Sequence, residues 1–578
     1  MSVNAHSNPW NPLLDDLERR RSDARAMGGP DRLERHRTKG AGDRLDARAR
    51  IDHLLDPGSF REIGTLVGPG GAASGTAPAD GIVTGSGTVD GRPVMVGAED
   101  FTVLGGSIGP GSTSKRHRIA ELAERDRLPL VMLLEGAGHR PSGTGGAEPG
   151  RTPTDLIQQA RLSGRVPLVA AILGPSAGHG ALVVPLSDYT VMTRDAAVFT
   201  AGPPVVKAAL GEEVTAGELG GPDVAVASGL VHDVADDDRS ALDLVRTWLS
   251  FFPSSAWSYP PRREGIDTDL RPVDDLVDLI PRQSNRVYDV RLVVERLVDD
   301  GRFVEVQPGF GASIICGLAH LGGESVAVVA NQPAVRAGAI DVAAADKAAH
   351  FIQVADSFHL PLVFLTDNPG VLAGTASERA GILRAGARMF AAQTQARTIK
   401  VQATLRKAYG FGSLAMSMVS FDGQTISVAL PGVTLGAMGA RGAGDAVRAD
   451  DDTAEAIADA EATAVYRSAS RLGFDEVVAP GELRDVLLDA VRRGLSRRQQ
   501  APEPTARTAI APGLTIADSG FPVGIGRSGW QAGLVSDPSP FPSRRIHEHR
   551  TTLPTHYHHC RVGDHGRRRE GQGPQGGR

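Results

Sequence analysis

Apolar positions along this chain come in two kinds of block. Runs such as "LPLVMLLEGAG" (128–138) and "RVPLVAAIL" (165–173) are almost uninterrupted, as strands buried on both faces are. Between them lie stretches of helical spacing, where Ala348, Phe351, Ile352, Ala355 and Phe358 return to one face. Strand, helix and strand in alternation predict α/β units with a largely parallel sheet, and ligands at the carboxyl ends of its strands. The uncharged stretch 166–186 is long enough for a membrane helix, but Pro167, Gly174, Pro175, Gly178, His179, Gly180 and Pro185 interrupt it. A buried strand, a glycine turn and a short helix are expected there, and no membrane span.

The pattern occurs twice. A constant shift of 232 lays residues 91–180 over 323–412 without a gap. Gly91, Val94, Val96 and Ala98 fall on Gly323, Val326, Val328 and Ala330. Gly106, Ile108 and Lys115 fall on Gly338, Ile340 and Lys347, and "LPLVMLLEGAG" falls on "LPLVFLTDNPG". Gly178 and Gly180 fall on Gly410 and Gly412. One register held across strands, helices and turns indicates a tandem duplication. The expected organisation is a polar, helix-like segment at 1–30, a first unit at 31–260, a proline-rich linker at 261–285 and a second unit at 286–505. The remainder, 506–578, has no periodicity and is expected to lack fixed structure.

Composition narrows the function classes. At 578 residues the chain exceeds what one core usually serves, and 41% apolar with 22% charged residues suits a soluble globular protein. A net charge of −6 disfavours binding nucleic acid by bulk electrostatics. Cys316 and Cys560 are the only cysteines, so a disulfide framework or a four-cysteine zinc site is excluded, and a reducing cytoplasm fits. The start of the chain carries no basic-then-apolar leader pattern.

The candidate chemistry lies in the glycine turns. "LRKAYGFG" (405–412) ends an apolar run with Gly410, Phe411 and Gly412, and holds no nucleophile or base; its counterpart is Gly178, His179 and Gly180. A glycine at a strand end lets backbone N–H groups converge on one ligand atom. Two such donors make an oxyanion hole, in which side-chain identity matters little. Two equivalent holes suggest two carbonyls, one on each of two reactants. "GGSIGPGSTSK" (105–115) resembles a phosphate loop without matching its spacing, which leaves Gly105, Gly106 and Lys115 as candidates for contact with a cofactor at a helix N-terminus. His139 and His179, both at strand ends, suit acid–base chemistry, although pocket lining is the simpler expectation. Lys115 and Lys347 are expected to be solvated or salt-bridged. No metal site is expected, "HYHHC" (556–560) included, because it sits in the aperiodic tail.

At these residues the sequence resembles the carboxyltransferase (β) subunits of biotin-dependent acyl-CoA carboxylases, the propionyl- and methylcrotonyl-CoA carboxylase group. The stretches that carry the resemblance are "ARARIDHLLDPGSFREIG", "DFTVLGGSIG", "GPSAGHGALVVPLSDY", "NQPAVRAGAIDVAAADKAAHFIQVAD", "LRKAYG" and "MGARGA", in family order over about residues 30–500. The resemblance implies two crotonase-like α/β domains in tandem. It implies that carboxybiotin, brought by a separate biotin carboxyl carrier with its biotin carboxylase, supplies both the carboxyl group and the base that the glycine turns lack. The α or vinylogous γ carbon of an acyl-CoA would receive the carboxyl group.

By the same resemblance, Gly410, Phe411 and Gly412 would hold the thioester oxygen, and Gly178, His179 and Gly180 the ureido oxygen of biotin. Gly136, Ala137, Gly138, Arg140, Phe411 and Leu414 would line the acyl-CoA site, within a hexamer whose sites form between chains. This chain departs from the family by placing His179 and Phe411 where adjacent glycines are usual, by reading "GAGHR" at 136–140, and by carrying Leu414 where propionyl-type members have an acid. Phe411 is expected to narrow the acyl pocket or to point away from it. No Met-Lys pair occurs, so the biotinylated lysine would be on another chain. The alternatives are a biotin-dependent decarboxylase or transcarboxylase subunit, and a catalytically silent assembly paralogue.

Overall fold

Four strands of each copy, at 82–89, 92–99, 130–136 and 168–177 in the first, align residue for residue with their counterparts at the shift of 232. The computed structural model describes residues 8–39, 43–68, 78–141, 154–264, 271–283, 285–418 and 423–504. The aperiodic tail at 506–578, with "HYHHC", lies outside them. Among the described residues each copy forms an eight-stranded sheet. In the first, the path runs Arg61–Glu62, Ile82–Val89, Arg92–Glu99, Leu130–Gly136, Leu168–Ala177, Tyr189–Thr193 and Asp233–Ala235, with Ala197–Phe199 beside Leu168–Ala177. In the second it runs Val304–Val306, Ile314–Leu321, Glu324–Asn331, Leu362–Asn368, Lys400–Tyr409, Ile426–Ala429 and Glu476–Val477, with Thr434–Gly436 beside Lys400–Tyr409. The first three strands of each path pair antiparallel and the rest parallel.

The antiparallel start follows from a two-residue turn. Asp90 and Gly91 both have positive φ, as a tight hairpin of right-handed twist requires, and Gly322 and Gly323 do the same in the second copy. An aspartate holds each turn from outside. Asp56 accepts from the N–H groups of Asp90 and Gly91 at 3.0 and 2.8 Å. Asp299 accepts from those of Gly322 and Gly323 at 3.0 and 2.8 Å.

The duplication therefore extends beyond the stretch that one fixed shift reveals. Helix Ala47–Leu54, capped by Asp46, matches Val290–Leu297, capped by Asp289, at a shift of 243. Arg48 grips Glu62 with two bonds of 3.0 Å, and Arg291 grips Glu305 at 2.6 and 2.9 Å. The shift differs because eleven more residues separate Glu62 from Ile82 than separate Glu305 from Ile314. An insertion of that length breaks the register while leaving each ion pair intact.

Both copies lie within one compact unit. The largest apolar core contains residues of both sheets. Helix Asp238–Phe251 carries it across: Trp248 stacks on Tyr189 and Phe252, Phe251 on His320, and Phe252 meets Phe358 edge-on. Each buried aromatic of this kind removes a large apolar area from water, so the copies are joined by packing as well as by the chain. Within the segment read as a linker, Val273 and Leu276 are buried in the second copy's own core. Helix Asn11–Arg25 buries none of its residues. No helix among the described residues is long and apolar enough to cross a membrane, and stretch 166–186 holds strand Leu168–Ala177 followed by helices Gly178–Ala181 and Val183–Leu186.

Candidate active site

The two glycine turns share one backbone geometry. Strand Leu168–Ala177 stays extended to Ala177, then Gly178 takes φ +57° and opens helix Gly178–Ala181. Strand Lys400–Tyr409 stays extended to Tyr409, then Gly410 takes φ +54° and opens helix Gly410–Ala415. An L side chain is strained at such φ values, which explains the first glycine of each pair. The second is explained by space. A Cβ on Gly412 would lie 2.7 Å from Asn368 Oδ1 and 2.8 Å from the backbone of Gly370, and one on Gly180 would lie 3.3 Å from Glu99 Oε1. N–H groups in a first helical turn have no acceptor within the helix, and the peptide dipoles make that end positive. Each turn is thus a cradle of donors at the carboxyl end of a central strand.

A neighbouring loop lies over each cradle. Gly138 and Gly370 have φ +83° and +113°, and a Cβ on either would lie 3.0 and 3.4 Å from the carbonyl oxygens of Ala177 and Tyr409. Ile108 donates to Gly138 O at 2.7 Å and Ile340 to Gly370 O at 3.1 Å. Gly136 is buried, and a Cβ there would strike Gly106 O; Ala137 is exposed. Arg140 turns inward. It binds Asp80 Oδ1 at 2.5 Å, Ser107 Oγ at 3.0 Å and Ser107 O at 2.7 Å, so its guanidinium is occupied by protein.

The side chains between the glycines face the helix packed beside them. Phe411 rests on helix Ile382–Gln395, 5.6 Å from the Phe390 ring, and a Cβ on Gly386 would touch it at 3.0 Å. Leu414 follows in the same short helix, half-buried. His179 faces the equivalent helix Asp155–Leu162, with Nε2 2.7 Å from Asp155 Oδ1, and meets the His139 ring edge-on at 4.4 Å. Beside Gly178 lies an apolar groove of 410 Å³ lined by Leu182, Pro185, Val198, Phe199 and Leu219.

Lys115 and Lys347 correct an expectation, since neither is solvated, and neither is salt-bridged among the described residues. Both are buried. Lys115 Nζ donates to the carbonyls of Ala79 and Ile82, and Lys347 Nζ to that of Gln307 at 3.3 Å. Burial lowers both pKa values, that of Lys115 to about 8. Gly105 and Gly106 form one turn with positive φ, and Gly106 packs where a Cβ would lie 2.3 Å from Glu135 O.

Sequence reading missed the acids behind these turns. Asp155 is fully buried, and its second oxygen accepts from Gln159 at 3.2 Å and lies 3.6 Å from Arg116 Nη1. Arg116 in turn pairs with buried Glu99. Glu135, at the end of the next strand, is held by Arg50 at 2.6 Å, Arg44 at 2.8 Å and His36 at 3.0 Å. Burial alone would raise its pKa, but Arg50 and His36 above all hold it at about 2. Its counterpart Asp367 is held by Arg406, Tyr288 and Lys407. The available signal was the copy-to-copy comparison: at a shift of 232, Glu99, Arg116, Asp155 and His179 fall on Asn331, Ala348, Ala387 and Phe411.

Comparison with known proteins agrees with the duplicated fold. Residues 38–508 match the carboxyl transferase domain family. The chain is 36% identical over 507 residues to the propionyl-CoA carboxylase carboxyltransferase subunit of Haloferax mediterranei, covering 85% of this chain and 97% of that protein. It is 36% identical to the methylmalonyl-CoA carboxyltransferase 12S subunit of Propionibacterium freudenreichii subsp. shermanii, covering 85% and 95%. Among solved structures, the transcarboxylase 12S hexamer with methylmalonyl-coenzyme A bound superposes with a TM-score of 0.79 at 35% identity, over 86% of this chain and 98% of that one. The tandem crotonase-like fold thus has a family: this chain belongs to the carboxyl transferases and is a carboxyltransferase.

Proposed function

We propose that this carboxyltransferase moves a carboxyl group from carboxybiotin, borne by a separate carrier chain, to the α or vinylogous γ carbon of an acyl-CoA. The observation that carries the reading is the pair of equivalent donor cradles at Gly178–Gly180 and Gly410–Gly412, one for each carbonyl compound the reaction brings together. Amide donors there would stabilise negative charge on a thioester oxygen at the second turn and on a ureido oxygen at the first. The surroundings of the first turn fit biotin: N–H donors for its single polar carbonyl lie beside an apolar groove lined by Leu182, Val198 and Phe199 for its ring and chain. When bound, carboxybiotin supplies the carboxyl group and the nitrogen base, which accounts for turns without a base of their own. Gly136, Ala137, Gly138 and Leu414 would border the acyl-CoA, while Arg140 would hold the 136–140 loop in place through Asp80 and Ser107.

The transcarboxylase 12S relative is a hexamer, and we extend that assembly to this chain, with a biotin carboxylase and carrier as cytoplasmic partners. Both turns keep their positive-φ glycine and open a helix at the strand end, which speaks against a silent assembly paralogue. The test mixes the purified chain with a biotinylated carrier, its biotin carboxylase and labelled bicarbonate over a panel of acyl-CoAs. Label should enter at least one acyl-CoA. No acceptor with any carrier, alongside stable co-purification with another β subunit, would overturn the reading.

A further inference from the structure

The two copies also differ at the amino ends of their strands, far from the glycine turns. In the first copy Glu124, in helix Pro110–Asp126, pairs at 2.8 Å with Arg165, just ahead of strand Leu168–Ala177. At a shift of 232 these residues fall on Asp356 and Arg397. Asp356 is one methylene shorter, and its Oδ1 accepts instead from the backbone N–H groups of Arg397 and Thr398, at 2.7 and 2.8 Å. The acid has turned to the main chain. The Arg397 guanidinium is left without a carboxylate partner among the described residues.

The segment that joins the copies closes over this place. Trp257 carries Arg127 of the first copy on its ring, and Tyr259 carries Arg498 of the second, each at 4.4 Å. Arg498 also donates to His359 O, and the His359 ring bonds Ala256 O at 2.7 Å. Between them lies a cavity of 390 Å³ whose walls include Arg397, Arg497, Arg498, Asp356, Tyr259 and Glu503. Both acids already have N–H partners, Asp356 as above and Glu503 from Trp257 Nε1 at 2.6 Å. Arg397 and Arg497 are exposed, while Arg498 is half-buried. Burial lowers the Arg498 pKa against the pull of Tyr259 and Glu324, and Glu324 itself lies 3.5 Å from Arg262. Taking a cation out of water is costly until an anion answers it. Three guanidiniums thus line one cavity, and among the described residues no carboxylate pairs with any of them.

We propose that this cavity binds a phosphorylated small molecule, with its phosphate held by Arg397, Arg497 and Arg498. Guanidinium forks match the oxygens of a phosphate and bind it through paired, charge-assisted hydrogen bonds. Stacking on Tyr259 fixes the plane of the Arg498 fork. A lone phosphate fills only part of 390 Å³, so an organic group enters with it. The site is separate from the glycine turns. Ile399 lines the cavity, and strand Lys400–Tyr409 runs from there to the second turn, ten residues or about 30 Å away. The ligand is bound and released unchanged, and the proposal does not depend on which carbonyl each turn holds.

The test is calorimetric and needs no turnover. The full-length chain, free of acyl-CoA, is titrated with ADP, with inorganic phosphate and with succinate as a carboxylate control. ADP should bind tightest, phosphate more weakly and succinate weakest. Arg397→Gln and Arg497→Gln should each weaken ADP by about tenfold or more, the scale of one lost charge-assisted hydrogen bond. Both lie on the surface, so the urea midpoint of the unliganded chain should stay where it is. Asp356→Glu, which gives the second copy the first copy's acid, should engage Arg397 and weaken ADP in the same direction. Phosphate binding that the arginine changes abolish, without ADP binding, supports the phosphate site and excludes a nucleotide. No binding of either, or ADP affinity unchanged in both arginine variants, overturns the proposal. Succinate binding tighter than phosphate overturns it too. None of these results bears on the acyl-CoA panel.

Discussion

The two glycine turns have the same φ, the same strand behind them and the same helix beside them, yet one is backed by charge and the other by hydrocarbon. His179 faces Asp155 where Phe411 faces Gly386 and Phe390. A duplicated cradle of main-chain donors is insensitive to the residue between its glycines, so that position was free to diverge. What stayed fixed is what the backbone needs. The acid at the end of the preceding strand shows the same economy: Glu135 is reached by Arg50 from another helix, and a Cβ on Gly174 would lie 2.5 Å from it. In the second copy the residue at the Gly174 position is Arg406, which itself pairs with Asp367 at 3.1 Å. The ion pair persists while its donor changes element.

The largest expected effect breaks the equivalence of the turns. Gly412→Ala forces a Cβ against the Gly370 backbone and an Asn368 amide tied to Gly370 N at 2.9 Å, neither of which can yield cheaply. Acyl-CoA carboxylation should fall by about 10²-fold or more, the loss expected when an oxyanion donor is displaced. Gly180→Ala meets only Glu99 Oε1 at 3.3 Å and should lose about tenfold. Steady-state kinetics on both variants decides it; equal losses would mean that the two cradles are not packed as described. Next in size is the charged string behind the first turn, Glu99, Arg116 and Asp155. Arg116→Ala leaves Glu99 and Asp155 buried without their cation and should destabilise the chain by about 3–5 kcal/mol. Adding Glu99→Asn and Asp155→Ala, so that the first copy carries the second copy's residues, should recover most of that loss in urea unfolding.

These comparisons also show where the sequence could be read. Strand ends, the helical spacing of Ala348 to Phe358 and the paired glycines follow from local periodicity and φ requirements, and one fixed shift aligns them. The Arg48–Glu62 and Arg291–Glu305 pairs obey the same duplication but sit at a shift of 243, so a constant register hides them. Asp155, Arg116 and Glu99 were illegible for another reason. They come from three elements, and only the packing of two helices against the sheet brings their charges together. Lys115 and Lys347 looked like surface cations because lysine usually is one; their burial depends on carbonyls of segments far from them in sequence.

A smaller effect sharpens the apolar side of the comparison. Phe411→Ala removes a half-buried ring from Gly386 and Phe390 and should cost about 1–3 kcal/mol, less than a fully buried Phe→Ala change. If that ring also bounds the acyl site, kcat/KM for a longer acyl-CoA relative to a shorter one should rise by about tenfold, the scale of a methylene or two in an apolar pocket. An unchanged ratio with lowered stability would confine Phe411 to packing.

The smallest effect lies in the hairpin turns. Asp56 has its pKa lowered to about 2, first by the N–H of Gly91 and then by the Thr88 hydroxyl, with Asp90 N–H and Arg246 adding to this. A carboxyl depressed in the folded state contributes stability above its unfolded value of about 3.9, and loses it as pH falls toward the folded value. Asp56→Asn removes the titration and keeps an acceptor for only one of the two turn amides, setting an NH2 against the other. Relative to the parent, the variant should therefore be less stable at neutral pH, with the gap closing between about pH 4 and pH 2. The group is too exposed for a large difference, because solvent screens its partners. Urea midpoints at neutral and acid pH measure it, and a gap that stays constant across that window would mean that the loss came from turn geometry rather than from charge.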